Sequence, residues 1–185
     1  PLFLFCLFEG GIVFNFFLFI LFLVSSYEII KLKINYSKYL LLIILLIFIY
    51  SFYNIRNQSD GLRMILLLTF ITWCSDIGGY LFGKLIGGKK IKFISPNKTF
   101  SGFFGSLLFV QLNLVYIIYF KLNLFSYIGH YVLFLTVCSF IVIFGDLFFS
   151  YVKRLNNIKD YSNFIPGHGG VLDRIDVFIF LIIIF

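Results

Sequence analysis

Charge is what this chain has least of. Only 12% of its 185 residues are Asp, Glu, Lys or Arg, against 61% hydrophobic. No water-soluble domain of this size needs so apolar a composition, which excludes a soluble enzyme or a free binding module. Cysteine is nearly absent too. Cys6, Cys74 and Cys138 stand far apart in or beside apolar runs, with no CxxC pair. That excludes a disulfide framework and a cysteine metal site, and leaves three small buried hydrophobes. The apolar runs show no polar–apolar alternation, so a lipid-facing barrel is excluded. No basic region precedes the first apolar run, so it does not read as a signal peptide. Internal repeats and disordered tails are also missing.

What is present is long continuous runs of Phe, Ile, Leu and Tyr. Helical spans of about 20 apolar residues are the expected unit. Residues 2–8 look like the tail of one span. Others run over about 12–30, 39–53, from 62 onward, 102–120 and 131–149, and a last one starts at about Asp176. The expectation is an all-α polytopic membrane protein with about six to seven transmembrane helices. The chain begins with Pro1 and stops at Phe185 inside an apolar run, so both ends are expected to be cut. The 28 phenylalanines resemble drift in an AT-rich genome and are read as lipid-facing or core. Residues 1–61 are taken as N-terminal transmembrane helices, and 62–185 as the catalytic region with loops 84–100 and 151–174.

Net charge is +7, carried in short loops, which favours an anionic lipid surface or a phosphate-bearing substrate over nucleic acid. If loops alternate sides, 31–38, 84–100 and 151–174 share one side and hold twelve of the 15 Lys and Arg. The other side has Arg56, Arg63 and Lys121. The positive-inside rule places the rich side in the cytoplasm, where nucleotides are. Glu28 lies near Lys31 and Lys33, which are candidate ion-pair partners.

The densest polar stretch is Ser150 to Asp176, SYVKRLNNIKDYSNFIPGHGGVLDRID. Polar groups against a bilayer are costly, so such a cluster calls for a reason. Asp76, Asp146, Asp173 and Asp176 fall at the cytoplasmic ends of spans. Carboxylates there need a positive partner, either nearby lysines or a divalent metal such as magnesium. Asp173 and Asp176 share a helix face. Glycines around His168, namely Gly167, Gly169 and Gly170, would let backbone amides approach a phosphate. Residues 84–100 carry a similar kit: Gly87, Gly88, Lys89, Lys90, Ser95, Asn97, Lys98 and Thr99. His168 is either structural or a group that orients a phosphate or shuttles a proton. His130 lies on the opposite side and reads as interfacial.

The same stretch resembles the motif of the phosphatidate cytidylyltransferases (CDP-diacylglycerol synthases). The matching positions are Ser150, Val152, Lys153, Arg154, Lys159, Asp160, Ser162, Ile165, Pro166, His168, Gly169, Gly170, Val171, Asp173, Arg174, Ile175 and Asp176. Asp76 to Tyr80, Ile94 to Thr99 and Gly145 to Phe148 are similar to further segments of that family, as is Tyr27-Glu28. Phe149 and Ser101 stand where the family usually carries acids.

The resemblance implies CMP transfer from CTP to phosphatidate, giving CDP-diacylglycerol and pyrophosphate, with magnesium as one ion or two. It implies metal ligands Asp146, Asp173, Asp176 and Asp76. Lys153, Arg154, Lys159 and Arg174 would neutralise phosphate charge, and His168 would join them at the catalytic turn. Ser95, Lys98, Thr99, Ser150, Asp160, Gly169 and Gly170 would bind substrate. Expected partners are CTP, phosphatidate and membrane lipids, with no nucleic acid, and a homodimer is allowed. The expected location is a bacterial inner membrane with the site facing the cytoplasm. Rival readings are a CTP-dependent transferase acting on another lipid, an ion-coupled transporter, and an inactive remnant. The acids near span ends, rather than mid-span, argue against the transporter.

Overall fold

The structure, a computed structural model, describes residues 2–88, 99–122, 127–164 and 169–185. Its helices are α1 (Leu2–Glu9), α2 (Gly11–Ile30), α3 (Asn35–Arg56), α4 (Gly61–Leu85), α5 (Phe100–Val110), α6 (Asn113–Tyr119), α7 (Ile128–Leu155) and α8 (Leu172–Ile184). Among the described residues, five stretches are long and apolar enough to cross a membrane: α2, α3, α4, the combined α5–α6 and α7. The chain is an all-α polytopic membrane protein. The expected count of about six to seven is a little higher than these five; the two remaining terminal helices, α1 with 8 residues and α8 with 13, stand at the two ends of the sequence.

The chain packs as two compact units, residues 1–65 with 151–185, and residues 66–150. In the first unit α3 lies against both α2 and α8. Its buried residues Ser37, Leu41, Leu45, Phe48, Phe52 and Ile55 recur every three or four positions, which makes one helical stripe. Aromatic edges lock that stripe. Phe52 meets Phe14 of α2 with centroids 5.3 Å apart and Phe178 of α8 at 5.6 Å, both near perpendicular. Edge-to-face pairs of this kind add about 0.5–1.5 kcal/mol each beyond burial.

A polar latch closes the other end of this unit. The buried Asn156 follows α7. Its Oδ1 accepts from the backbone N–H of Lys33 (3.1 Å) and Ile34 (2.9 Å). Its Nδ2 donates to Ser37 Oγ and to the carbonyl of Val152, both at 3.0 Å. The basic segments 31–38 and 151–174, grouped on one side by their charge, are thus in contact here.

In the second unit α4 and α5 approach through glycines. A Cβ built on Gly78 would stand 2.5 Å from the carbonyl oxygen of Gly105, and one on Gly102 2.7 Å from that of Gly79. Small residues let helix backbones meet where no hydrophobic drive separates lipid from protein. Ser106 Oγ crosses the same seam to donate to the carbonyl of Ser75 at 2.8 Å. Thr99 starts α5 as its N-cap, its side chain accepting from Gly102 N–H at 3.1 Å.

Candidate active site

In the first unit the motif residues fold onto one another. Lys153, in the last turn of α7, places its Nζ 2.9 Å from Asp173 Oδ1 and 3.6 Å from Asp176 Oδ2. The two acids are three positions apart on α8, so one ammonium reaches both. The other oxygen of Asp173 accepts from the backbone N–H of Tyr161 (2.9 Å) and of Gly170 (3.0 Å). Asp173 therefore ties α7, the loop and the start of α8 together. Asp176, buried, accepts at Oδ1 from Val177 N–H at 2.8 Å. Tyr161 lies beneath this group, with Lys153 Nζ 5.5 Å from its ring centroid. Burial pushes the Tyr161 phenol up, and the carboxylates of Asp176, Asp173 and Glu28 push it further.

The glycines make room for carboxylates. Gly169 has φ +82°, and a Cβ there would be 3.3 Å from Asp173 Oδ2. A Cβ on Gly170 would fall 2.8 Å from Glu28 Oε1. Glu28 is not paired with Lys31 or Lys33. Lys31 instead sits over the ring of Tyr27 at 4.1 Å. Glu28 accepts from Ser162 Oγ (2.6 Å), Val171 N–H (2.9 Å) and Leu172 N–H (2.8 Å). Proximity in sequence suggested the lysines, but a carboxylate inside the bundle finds the unfilled amides of a helix start. The sequence clue to it was a lone acid late in an apolar helix.

In the second unit a cavity of about 520 Å³ is lined by Ser75, Asp76, Thr99, Ser106 and Asp146. Most of its remaining wall is apolar, including Phe103, Phe104, Val142 and Leu147, with Tyr80 among them. Asp76 and Asp146 come from α4 and α7, so the fold brings to one cavity two acids 70 positions apart in sequence. Among the described residues no three His, Cys, Asp or Glu side chains are gathered to hold a metal by themselves. Two carboxylates with hydroxyl oxygens nearby still suit a small hard cation that completes its shell with phosphate oxygens and water. Ser150, one turn after Asp146, is 3.5 Å from its Oδ1, at the limit of a hydrogen bond.

Of the other motif residues, Arg154, Lys159, Asp160 and Arg174 are exposed, three of them cations on one short segment. Thr99 lines the cavity while capping α5. Its hydroxyl is 2.9 Å from that of Ser101, which also donates to the carbonyl of Gly87. Phe149 is fully buried and meets Phe148 edge-on. Ser95, Lys98 and His168 lie outside the described residues.

Comparison with known proteins agrees with the motif. The model of a family described as the cytidylyltransferase family matches residues 1–185. A phosphatidate cytidylyltransferase of Staphylococcus aureus (strain COL) is 40% identical over 131 residues, which is 69% of this chain and 49% of that protein. One from Staphylococcus haemolyticus (strain JCSC1435) is 40% identical over 137 residues, 70% of this chain and 50% of that protein. The chain thus spans about half the length of the curated relatives it matches. With its motif residues gathered around Lys153 and a family match along its whole length, the chain belongs to the cytidylyltransferase family.

Proposed function

We propose that the protein transfers CMP from CTP to phosphatidate, giving CDP-diacylglycerol and pyrophosphate, at the cytoplasmic face of a bacterial inner membrane. An oxygen of the lipid phosphate attacks the α-phosphorus of CTP. The bond from that phosphorus to the bridging oxygen breaks, and pyrophosphate leaves. Such a step is mostly positioning and charge neutralisation. The observation that carries the reading is the amphipathic cavity: two carboxylates at an apolar wall of phenylalanine and aliphatic side chains. A soluble nucleotide alone has no use for that wall, and a lipid phosphate does.

In this reading Asp76 and Asp146 would hold magnesium, which when bound would supply positive charge at the phosphates. Lys153, Arg154, Lys159 and Arg174 bring cationic donors for phosphate oxygens. Asp173 and Asp176, which the motif also assigns to magnesium, meet Lys153 and hold it in place. His168, with Gly169 and Gly170, remains assigned to the turn, and Ser95, Lys98 and Thr99 to substrate binding. The asymmetry of basic residues supports the cytoplasmic orientation. A homodimer is part of the proposal, and crosslinking in native membranes tests it.

The test is conversion of labelled CTP by membranes carrying the full-length protein, with and without phosphatidate and magnesium. Lipid-linked CMP is expected only when both are present. Asp146→Asn should lower turnover by about 100-fold or more while leaving insertion intact. Product made from an isoprenoid alcohol but not from phosphatidate would overturn the lipid assignment. Near-normal turnover of Asp146→Asn would overturn the metal assignment.

A further inference from the structure

Glu28 is an acid in the last turns of a 20-residue apolar helix, and it is only 1% exposed. Among the described residues no Lys or Arg forms an ion pair with it. A buried carboxylate without a cation is costly unless hydrogen bonds replace its water. Three do: the Ser162 hydroxyl at 2.6 Å, and the Val171 and Leu172 amides at 2.9 and 2.8 Å. Those amides open α8, where the helix dipole favours a negative group and where phosphates often bind. Glu28 already fills that place.

We propose that Glu28 is a positioning residue for the transfer reaction: it clamps the start of α8 and so sets where Asp173 and Asp176 hold Lys153. The linkage is short. Glu28 holds Leu172, the residue before Asp173. Gly170, whose missing side chain leaves space for the Glu28 carboxylate, donates its N–H to Asp173. Asp173 in turn meets Lys153. Gln is a poor substitute because one of its two ends is a donor facing donors. Asp keeps the charge but is one methylene short. The clamp also means that the Val171 and Leu172 amides are taken by Glu28 and are closed to a phosphate.

The catalytic part of this inference rests on the proposed function, so the experiment carries two readouts. Full-length wild type, E28Q, E28D and S162A are placed in nanodiscs of phosphatidylglycerol and phosphatidylethanolamine. Thermal midpoint, kcat and KM for CTP are measured, together with amide hydrogen exchange over residues 169–173. E28Q that stays folded should lose about 10- to 100-fold in kcat with KM changed little, and Val171 and Leu172 should exchange faster. E28D should recover part of the turnover. A folded E28Q with kcat within about twofold of wild type would overturn the proposal. If E28Q does not insert, S162A decides, because it removes one donor from a loop outside the helices. It should cost roughly three- to tenfold in kcat and speed exchange, and wild-type values in both would overturn the clamp. If wild type transfers no CMP, the proposed function fails by itself. Unchanged exchange at Val171 and Leu172 in E28Q or S162A would then sink the clamp as well, and faster exchange would sustain it.

Discussion

Replacing Asp173 by Asn isolates the charge at the centre of the first unit. The two side chains have nearly the same shape, so packing is preserved. Asp173 accepts three hydrogen bonds, from Lys153 at one oxygen and from the Tyr161 and Gly170 amides at the other. The Asn carbonyl can serve both amides, but its NH2 then faces the Lys153 ammonium, donor against donor. Lys153 and Asp173 side chains are only 15% and 6% exposed, so water does not make up the loss. The charged hydrogen bond to Lys153 is worth about 1.5–3 kcal/mol. Two amide bonds falling from charged to neutral acceptors remove about 1 kcal/mol more. Asp176, at 3.6 Å from Lys153, recovers a part. The net cost is about 2–4 kcal/mol, which for a chain of this size lowers Tm by roughly 5–15 °C. The assay is the thermal midpoint of the purified full-length protein in detergent. Asp160→Asn, on an exposed position of the same loop, is the control and should shift stability by no more than about 0.5 kcal/mol. A D173N midpoint within about 2 °C of wild type would refute the role given to Asp173.

Two other outcomes follow from the same unit. Asn156→Ala strips acceptors from the Lys33 and Ile34 amides and a donor from Ser37, and should cost about 2–4 kcal/mol. Faster hydrogen exchange at Lys33 and Ile34 is the check, and unchanged protection there would count against the latch. The second concerns pH. Burial first, then three carboxylates, raises the Tyr161 phenol above its ordinary value of 10.0. The folded protein therefore holds that proton more tightly than the unfolded chain. The resulting stability is fully present below about pH 10 and declines as pH rises above it. Tyr161→Phe has no such proton, so between about pH 9 and about pH 11 it should lose less stability than wild type. Parallel alkaline melting curves for the two proteins would contradict this.

Much of the fold was legible because bilayer-length apolar runs leave few choices. The boundaries of α2, α3, α5–α6 and α7 lie close to the runs that suggest them. The span count was less legible: 2–8 and the run from Asp176 look like spans in composition, and their helices of 8 and 13 residues stand at the two ends of the sequence. At the candidate site, Asp173 and Asp176 could be paired with each other by the helix repeat, and Lys153 fell in the same motif. Asp76 and Asp146 could not be joined by spacing, since 70 positions separate them, and only helix packing brings both to one cavity. Glu28 was misread for a physical reason. Local sequence ranks neighbouring lysines as its partners, whereas the unfilled amides of α8 become available only once tertiary structure forms. Asn156, in the middle of the motif but not one of its matching positions, is buried and holds the 31–38 segment.

The Glu28 and Asn156 bonds also bear on how the protein is made. They join residues 144 and 123 positions apart. Synthesis runs from the N-terminus, so α2 enters the membrane carrying a carboxylate whose partners have not yet been translated. During that interval the early helices are an unfinished assembly, and contacts of such long sequence separation form late and slowly. A chain arrested before residue 171 therefore lacks both α8 amides that receive the Glu28 carboxylate in the folded protein.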